Sequence, residues 1–327
     1  MKITRLRSAR WLMTLAASMA ATLVLSGPAW SQAFPNRPVR IVVPYPPGGG
    51  VDAAARLLAS GLADVWKQSV IVENRGGASG AIGTQFVGGS RPDGHVLLFA
   101  PSGQVIAQYL STAGYDLGSG FTAITELCQS PLVLAIHKSV PAQDLKSLIA
   151  YSKTPGKQIR WAIGSSLDHV AAEMFNQRAG INGLIVPYKG GGPALAAALS
   201  GELDAVMLPP ILVRPHVTAG TLKAIAVTGL EESPAMLGTP SIANSGLPGF
   251  EFQTWFGIWG PKGMTADLVR QVHGAIAGVA KEPKFAARLL DVGFTTIVSS
   301  PEAFASFVAE EGKRYETVIR TRGIKEQ

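Results

Sequence analysis

Two short stretches carry the residues with the clearest chemical capacity. Residues 44–50 read PYPPGGG and run directly into VDAAARLLASGLAD, and residues 186–205 read VPYKGGGPALAAALSGELDA. In each, an apolar strand ends in Pro-Tyr, glycines turn the chain, and a helix begins. Glycine permits positive φ and lets backbone N–H groups approach a ligand closely. The helix start that follows offers unpaired N–H donors and a partial positive charge. Together these make an anion site. Pro193, directly after the second triplet, suits the first helical position. Neither triplet is followed by the Lys and Ser/Thr of a nucleotide-binding P-loop. The GxGxxG spacing is absent, and GGASGAIG (76–83) is wrongly spaced for it. Tight turns without a ligand are the plain alternative. They explain one loop more easily than a pair in equivalent positions.

Polar residues flank both loops. Asp52 falls in the first helical turn, where capping N–H groups and touching a ligand are equally apt roles. Lys189 precedes the second triplet, and either pairs an anion or points into solvent. Ser165, Ser166 and His169 sit at another strand-to-helix turn. The serines and Asp168 are good caps, and His169 either donates to a carboxylate or packs on its helix. Catalysis finds little support. The five histidines show no H-x-x-x-H or H-E-x-x-H spacing, so no metal site is expected, and no G-x-S-x-G elbow is present. No cofactor is implied.

These loops need elements to hold them. The 327 residues are 47% hydrophobic and 16% charged, enough to bury a large core over two ordinary domains. Residues 1–33 stand apart. Lys2, Arg5, Arg7 and Arg10 precede the apolar run Trp11 to Leu25, and Ser31-Gln32-Ala33 supplies small residues, so a secretory signal peptide cleaved before Phe34 is expected. Removing its four positive charges lowers the formal charge from +7 to +3. Without a Lys/Arg block, nucleic-acid binding has no support, whereas a preference for small anions is compatible. Cys128 is the only cysteine, so no internal disulfide is available, and its apolar setting suggests a buried thiol.

Strand and helix patterns alternate: strands over 39–45, 69–75 and 95–100, with helices over 53–66 and 81–90 between them. The second half repeats the style, with strands over 131–137, 159–164, 184–188, 205–208 and 222–229 and helices over 144–153, 168–180 and 194–201. This order implies right-handed parallel βαβ units. Residues 231–251 read as a long connection. Thr265, and Ser300 with Pro301, are signals for closing helices.

These residues resemble the Bug (Bordetella uptake gene) family of extracytoplasmic solute receptors, the substrate-binding component of tripartite tricarboxylate transporters. The carriers are FPNRPVRIVVPYPPGGGVDAAAR, VIVENRGGASGAIGT, RPDGHVLL, VPYKGGGPALAAALSGELDAV, LKAIAVTG, GTPSIANSGLPGFE and the WFGIWGP segment, in order from Phe34 to the C-terminus. The resemblance implies an α/β, two-lobed type II periplasmic binding protein fold, with a ligand cleft between lobes joined by crossing strands. Lobe one would be 34–131 plus 254–327 and lobe two 132–253, with the crossings near PLVLAIH and WFGIWGP. One glycine module would fall in each lobe, so that both helix starts meet one anion. Carried over by position, one jaw comprises Tyr45, Gly49, Gly50 and Asp52, with Ala78, Ser79 and Ser102 beside it. The other comprises Ser165, Ser166, His169, Lys189, Gly190 and Gly191, with Asp204 and Pro209 behind. The family's lobe-two turn commonly reads G-N-G-T/S-x-x-H-L; here it is I-G-S-S-L-D-H-V, where Ile163 and Ser165 replace glycines and Asp168 adds a charge. A ligand other than a plain tricarboxylate is expected, and an amino acid whose ammonium pairs Asp168 would fit. The implied role is a monomeric, non-enzymatic periplasmic receptor serving membrane permease subunits or a sensor. The alternative is an exported enzyme on the same scaffold.

Overall fold

The structure, a computed structural model, describes residues 34–110 and 114–325. The expected signal peptide, residues 1–33, lies outside the described residues. From Arg37 onward the chain forms one compact unit built on two sheets.

The first sheet begins with β1 (Val39–Val43), whose residues are β-branched apart from Arg40 and almost wholly buried. Helix α1 (Gly50–Trp66) follows, then β2 (Val70–Asn74), α2 (Ala81–Gly88), β3 (Val96–Pro101) and α3 (Gly103–Leu110). β1 pairs in parallel with both β2 and β3, the expected βαβ arrangement. β4 (Phe121–Pro131) then runs into β5 (Val133–His137) with only Leu132 between them. β5 belongs to the second sheet.

That sheet is completed by β6 (Arg160–Ile163), β7 (Leu184–Pro187), β8 (Ala205–Leu208) and β9 (Leu222–Val227). Helices α4 (Leu145–Lys153), α5 (Ser166–Ala179), α6 (Gly191–Ser200) and α7 (Pro210–Thr218) connect them. β6 lies parallel to β7 and β8, and β5 antiparallel to β8 and β9, giving the order β7-β6-β8-β5-β9.

The chain returns through β10 (Gln253–Pro261), which inserts antiparallel between β3 and β4. Helices α8 (Ala266–Ala280) and α9 (Pro283–Asp291), the short β11 (Thr295–Thr296) and α10 (Pro301–Arg322) close the fold. The first sheet is thus ordered β11-β4-β10-β3-β1-β2. Thr265 and Ser300 cap α8 and α10 by accepting N–H bonds from Leu268 and Ala303. Phe304 of α10 packs edge-on against Trp255 of β10, with centroids 5.8 Å apart.

Buried Thr228 joins the two crossings. Its hydroxyl accepts from Leu132 N–H at 2.8 Å and donates to the Phe252 carbonyl at 2.6 Å. Its own backbone exchanges bonds with the same two residues. Cys128 of β4 is fully buried, and burial drives its thiol pKa well up, as a structural cysteine requires. Among the described residues no helix is long and apolar enough to cross a membrane.

Candidate functional site

The first glycine triplet is braced from behind. Gly48 has φ +93°, which a residue with a Cβ adopts only with strain. Its N–H donates to Oδ2 of Asp52, at the third position of α1, at 3.0 Å. The same carboxylate accepts from Arg56 Nε at 3.0 Å and Asn74 Nδ2 at 3.0 Å. Burial opposes its charge, but the bonds from Arg56, Gly48 and Asn74 hold its pKa below the ordinary value. Asp52 is therefore a brace for the loop, buried and with its carboxylate occupied by these three bonds. Gly49 and Gly50 differ from Gly48. Neither has positive φ, and a Cβ at either would meet nothing within 4 Å. Neither backbone conformation nor packing requires glycine at those two positions.

Beside this loop the chain makes a left-handed turn. Gly77, Ala78, Ser79 and Gly80 have φ of 116°, 48°, 52° and 87°, two of them at residues other than glycine. Such strain concentrates at functional sites. Buried Gln104, in the first turn of α3, holds the turn: its Nε2 donates to the Ser79 carbonyl at 3.3 Å, and its Oε1 accepts from the Tyr45 hydroxyl at 2.9 Å. Burial of that hydroxyl pushes its pKa up to about 12, so Tyr45 is a neutral donor and acceptor at physiological pH. Ser102 is fully buried and exchanges bonds with Trp255 of β10, which removes it from the cleft.

The second sheet repeats the device. β6 ends at Ile163, Ser165 caps α5 by accepting the Asp168 N–H, and Asp168 Oδ2 accepts the Gly164 N–H at 3.2 Å. Asp168 thus stands to Gly164 as Asp52 stands to Gly48. Without a cationic neighbour, its burial raises the pKa to about 7 despite the bonds from Ser165 and Gly164. The expectation that Asp168 faces a ligand ammonium is corrected by this geometry, because the side chain is buried behind the turn. The other triplet begins at Gly190, with φ +107°, and α6 starts at Gly191, so Pro193 occupies the third helical position rather than the first. Gly164 is where the two loops touch: a Cβ there would lie 2.5 Å from Gly190 C and Gly191 N.

Two cavities open along these loops and share Tyr45. The first, about 370 Å³, is walled by Tyr45, Ser79, Gly103 and Ala107 from the first-sheet side. Gly164, Ser165, Ser166, Leu167, Tyr188, Lys189 and Gly190 face them from the second-sheet side. The N-termini of α3 and α5 and the N-cap of α6 therefore converge on one space, a field that favours an anion. The second, about 490 Å³, is lined by Gly48, Gly49, Gly50, Val51, Pro101, Thr254 and Phe256 against Pro209, Ile211 and Leu212, with Val292 and Phe294 completing it.

Of the residues expected from sequence, Tyr45, Gly49, Gly50, Ser79, Ser165, Ser166, Lys189, Gly190 and Pro209 line these cavities. Asp52, Ala78, Ser102, His169, Gly191 and Asp204 do not. Ala78 belongs to the left-handed turn. His169 is half-buried one turn into α5, where desolvation lowers its pKa. Gly191 packs toward Leu208 and Leu212. Asp204 is a structural anchor, holding the Arg160 guanidinium with both oxygens at 2.7 and 2.9 Å. The α3 start at Gly103 and the apolar wall, apart from Pro209, escaped sequence reading. A larger cavity, about 650 Å³, lies beside α5 and α10 and contains neither glycine loop. Its two arginines, Arg178 and Arg314, donate to the backbone carbonyls of Pro248 and Glu251. Among the described residues no acidic, His or Cys group could hold a metal.

Comparison with known proteins agrees with this architecture. The model of the tripartite tricarboxylate transporter family receptor matches residues 54–324. Protein BugT of Bordetella pertussis is 32% identical over 314 residues, covering 93% of this chain and 95% of that protein. The structure of the periplasmic binding protein BugD superposes with a TM-score of 0.72 at 30% identity, covering 90% of this chain and all of that one. R. palustris Rpa4515 with adipate gives 0.75 at 29% identity, over 90% of this chain and 100% of the other. The matched family is one of transporter receptors, BugD is a periplasmic binding protein, and both solved structures share the α/β fold of this chain. The chain belongs to the tripartite tricarboxylate transporter receptor family and is a solute-binding receptor.

Proposed function

We propose that this receptor captures a small organic anion through a carboxylate, between a first lobe of residues 34–131 plus 254–327 and a second of 132–253. The observation that carries this reading is the state of Gly49 and Gly50. Both line the cleft, and neither backbone geometry nor packing calls for glycine at either. A ligand lying against the backbone supplies the missing reason. The convergent helix starts and Lys189 supply the complementary charge. The adipate bound to the similar R. palustris protein supports a carboxylate. Tyr45, Ser79, Ser165, Ser166, Lys189 and Gly190 are the residues assigned to direct contact.

In this reading residues 1–33 direct export to the periplasm and are removed. The receptor acts as a monomer and hands its ligand to membrane permease subunits or to a sensor. Closure follows from ligand contacts made only when both lobes engage the same anion. The test uses the protein unfolded and refolded to strip bound ligand. Thermal unfolding is followed against carboxylates, with sulfate as control. A carboxylate at about 100 times its Kd adds about 2.7 kcal/mol. A shift with a carboxylate and none with sulfate is expected; equal shifts with every anion, or none at all, would overturn the proposal.

A further inference from the structure

Resting on that reading, we infer that the ligand is a monocarboxylate with an apolar body, an aromatic or branched aliphatic acid, rather than a polyanion. The two cavities that meet at Tyr45 differ in chemistry. The first offers hydroxyls, helix starts and Lys189, the one cationic side chain among the described residues lining either cavity. The second contains no charged side chain among its lining residues, and its walls are built from Val51, Pro101, Ile211, Leu212, Phe256 and Phe294. Phe256 and Phe294 stack with centroids 4.3 Å apart and present a fixed aromatic wall.

Opposite them, Ile211 and Leu212 are 47% and 36% exposed. Large apolar side chains left open inside a cleft gain by covering one another with a ligand's hydrocarbon. At about 490 Å³ the second cavity exceeds the roughly 150 Å³ that suffices to hold a benzene ring. A second or third carboxylate in this space would lose its hydration against mostly apolar walls with no cationic side chain to pair it, a cost that the starts of α1 and α7 bordering the cavity offset only in part. The single anionic group therefore belongs in the Lys189 cavity and the carbon skeleton in the other.

Titration calorimetry on the stripped, refolded protein with benzoate and with citrate tests this. Benzoate is expected to bind at least ten-fold tighter than citrate, with a more negative heat-capacity change from apolar burial. Ile211→Asp, at an exposed position, should keep the unfolding midpoint and weaken benzoate at least ten-fold. Citrate binding as tightly as benzoate, or an unchanged benzoate affinity in Ile211→Asp, would overturn the inference and leave the carboxylate receptor standing. If neither acid nor any other carboxylate binds, both readings fall.

Discussion

A methyl group at Gly164 tests how tightly the second jaw is built. The alanine Cβ would lie 2.5 Å from Gly190 C and Gly191 N and 2.6 Å from Gly190 O, all of them backbone atoms. No flexible side-chain end can yield, so ordinary contact near about 3.5 Å requires β6 and the glycine loop to separate by about 1 Å. Over-packing of this kind costs about 1–3 kcal/mol, a fall in midpoint of a few degrees at this size. The binding effect has a second origin. N–H donors set for about 2.9 Å lose their bonds to an anion when moved 1 Å, and a charge-assisted bond is worth about 1.5–3 kcal/mol. Affinity should therefore fall about ten- to a hundred-fold. Gly192→Ala is the matched control, since a Cβ there meets nothing within 4 Å. It should leave stability equal or raised by up to about 1 kcal/mol. Calorimetric unfolding and ligand titration on both variants read the result. Wild-type midpoint and affinity in Gly164→Ala would refute the reasoning.

Three further outcomes follow from the geometry. Asp168 has its pKa raised from 3.8 to about 7, so the folded chain keeps a proton that the unfolded chain has lost between those values. That contribution is complete below about pH 4 and lost as pH rises through about 7, on the order of 2–4 kcal/mol in all. Asp168→Asn, which still accepts from Gly164 but cannot ionise, should gain stability relative to wild type from pH 4 to pH 8; a difference independent of pH would contradict this. Thr228→Val leaves the buried Leu132 N–H without its hydroxyl partner and should cost about 1–3 kcal/mol in urea unfolding, against no loss if the crossing is indifferent to that bond. Asp204→Asn removes the ion pair with Arg160 and should lower the midpoint while changing ligand affinity less than two-fold; a large affinity loss would return Asp204 to the site.

Sequence periodicity carried far where one face or one cap decides the element. The βαβ units, the helix over 144–153, the Gly180 end of α5 and the Thr265 and Ser300 caps were all legible, whereas the Asp144 capping box of α4 emerged only from the structure. β4 was not, because its buried Thr125, Glu126 and Ser130 break the apolar run that marks a strand. α7 was hidden by Pro215, which argues against a helix interior but is accommodated here. Within the site, the glycine loops announced themselves, since their chemistry is local. The apolar wall did not: Phe256 and Phe294 reach the first triplet only because β10 inserts beside β3 and the β11 segment lies beyond β4. Asp52 and Asp168 were legible as charges near the cleft. Which way each carboxylate pointed depended on N–H groups four residues back, and that no spacing rule reveals.

The central claim is that one anion is held by both lobes. Gly50→Ala on the first and Lys189→Met on the second test it directly, because both positions are exposed and neither change disturbs packing. Each variant is titrated with the same carboxylate after its unfolding midpoint is matched to wild type. The account predicts that each weakens binding about ten-fold or more. Loss in one variant with wild-type affinity in the other would assign the ligand to a single lobe and contradict it.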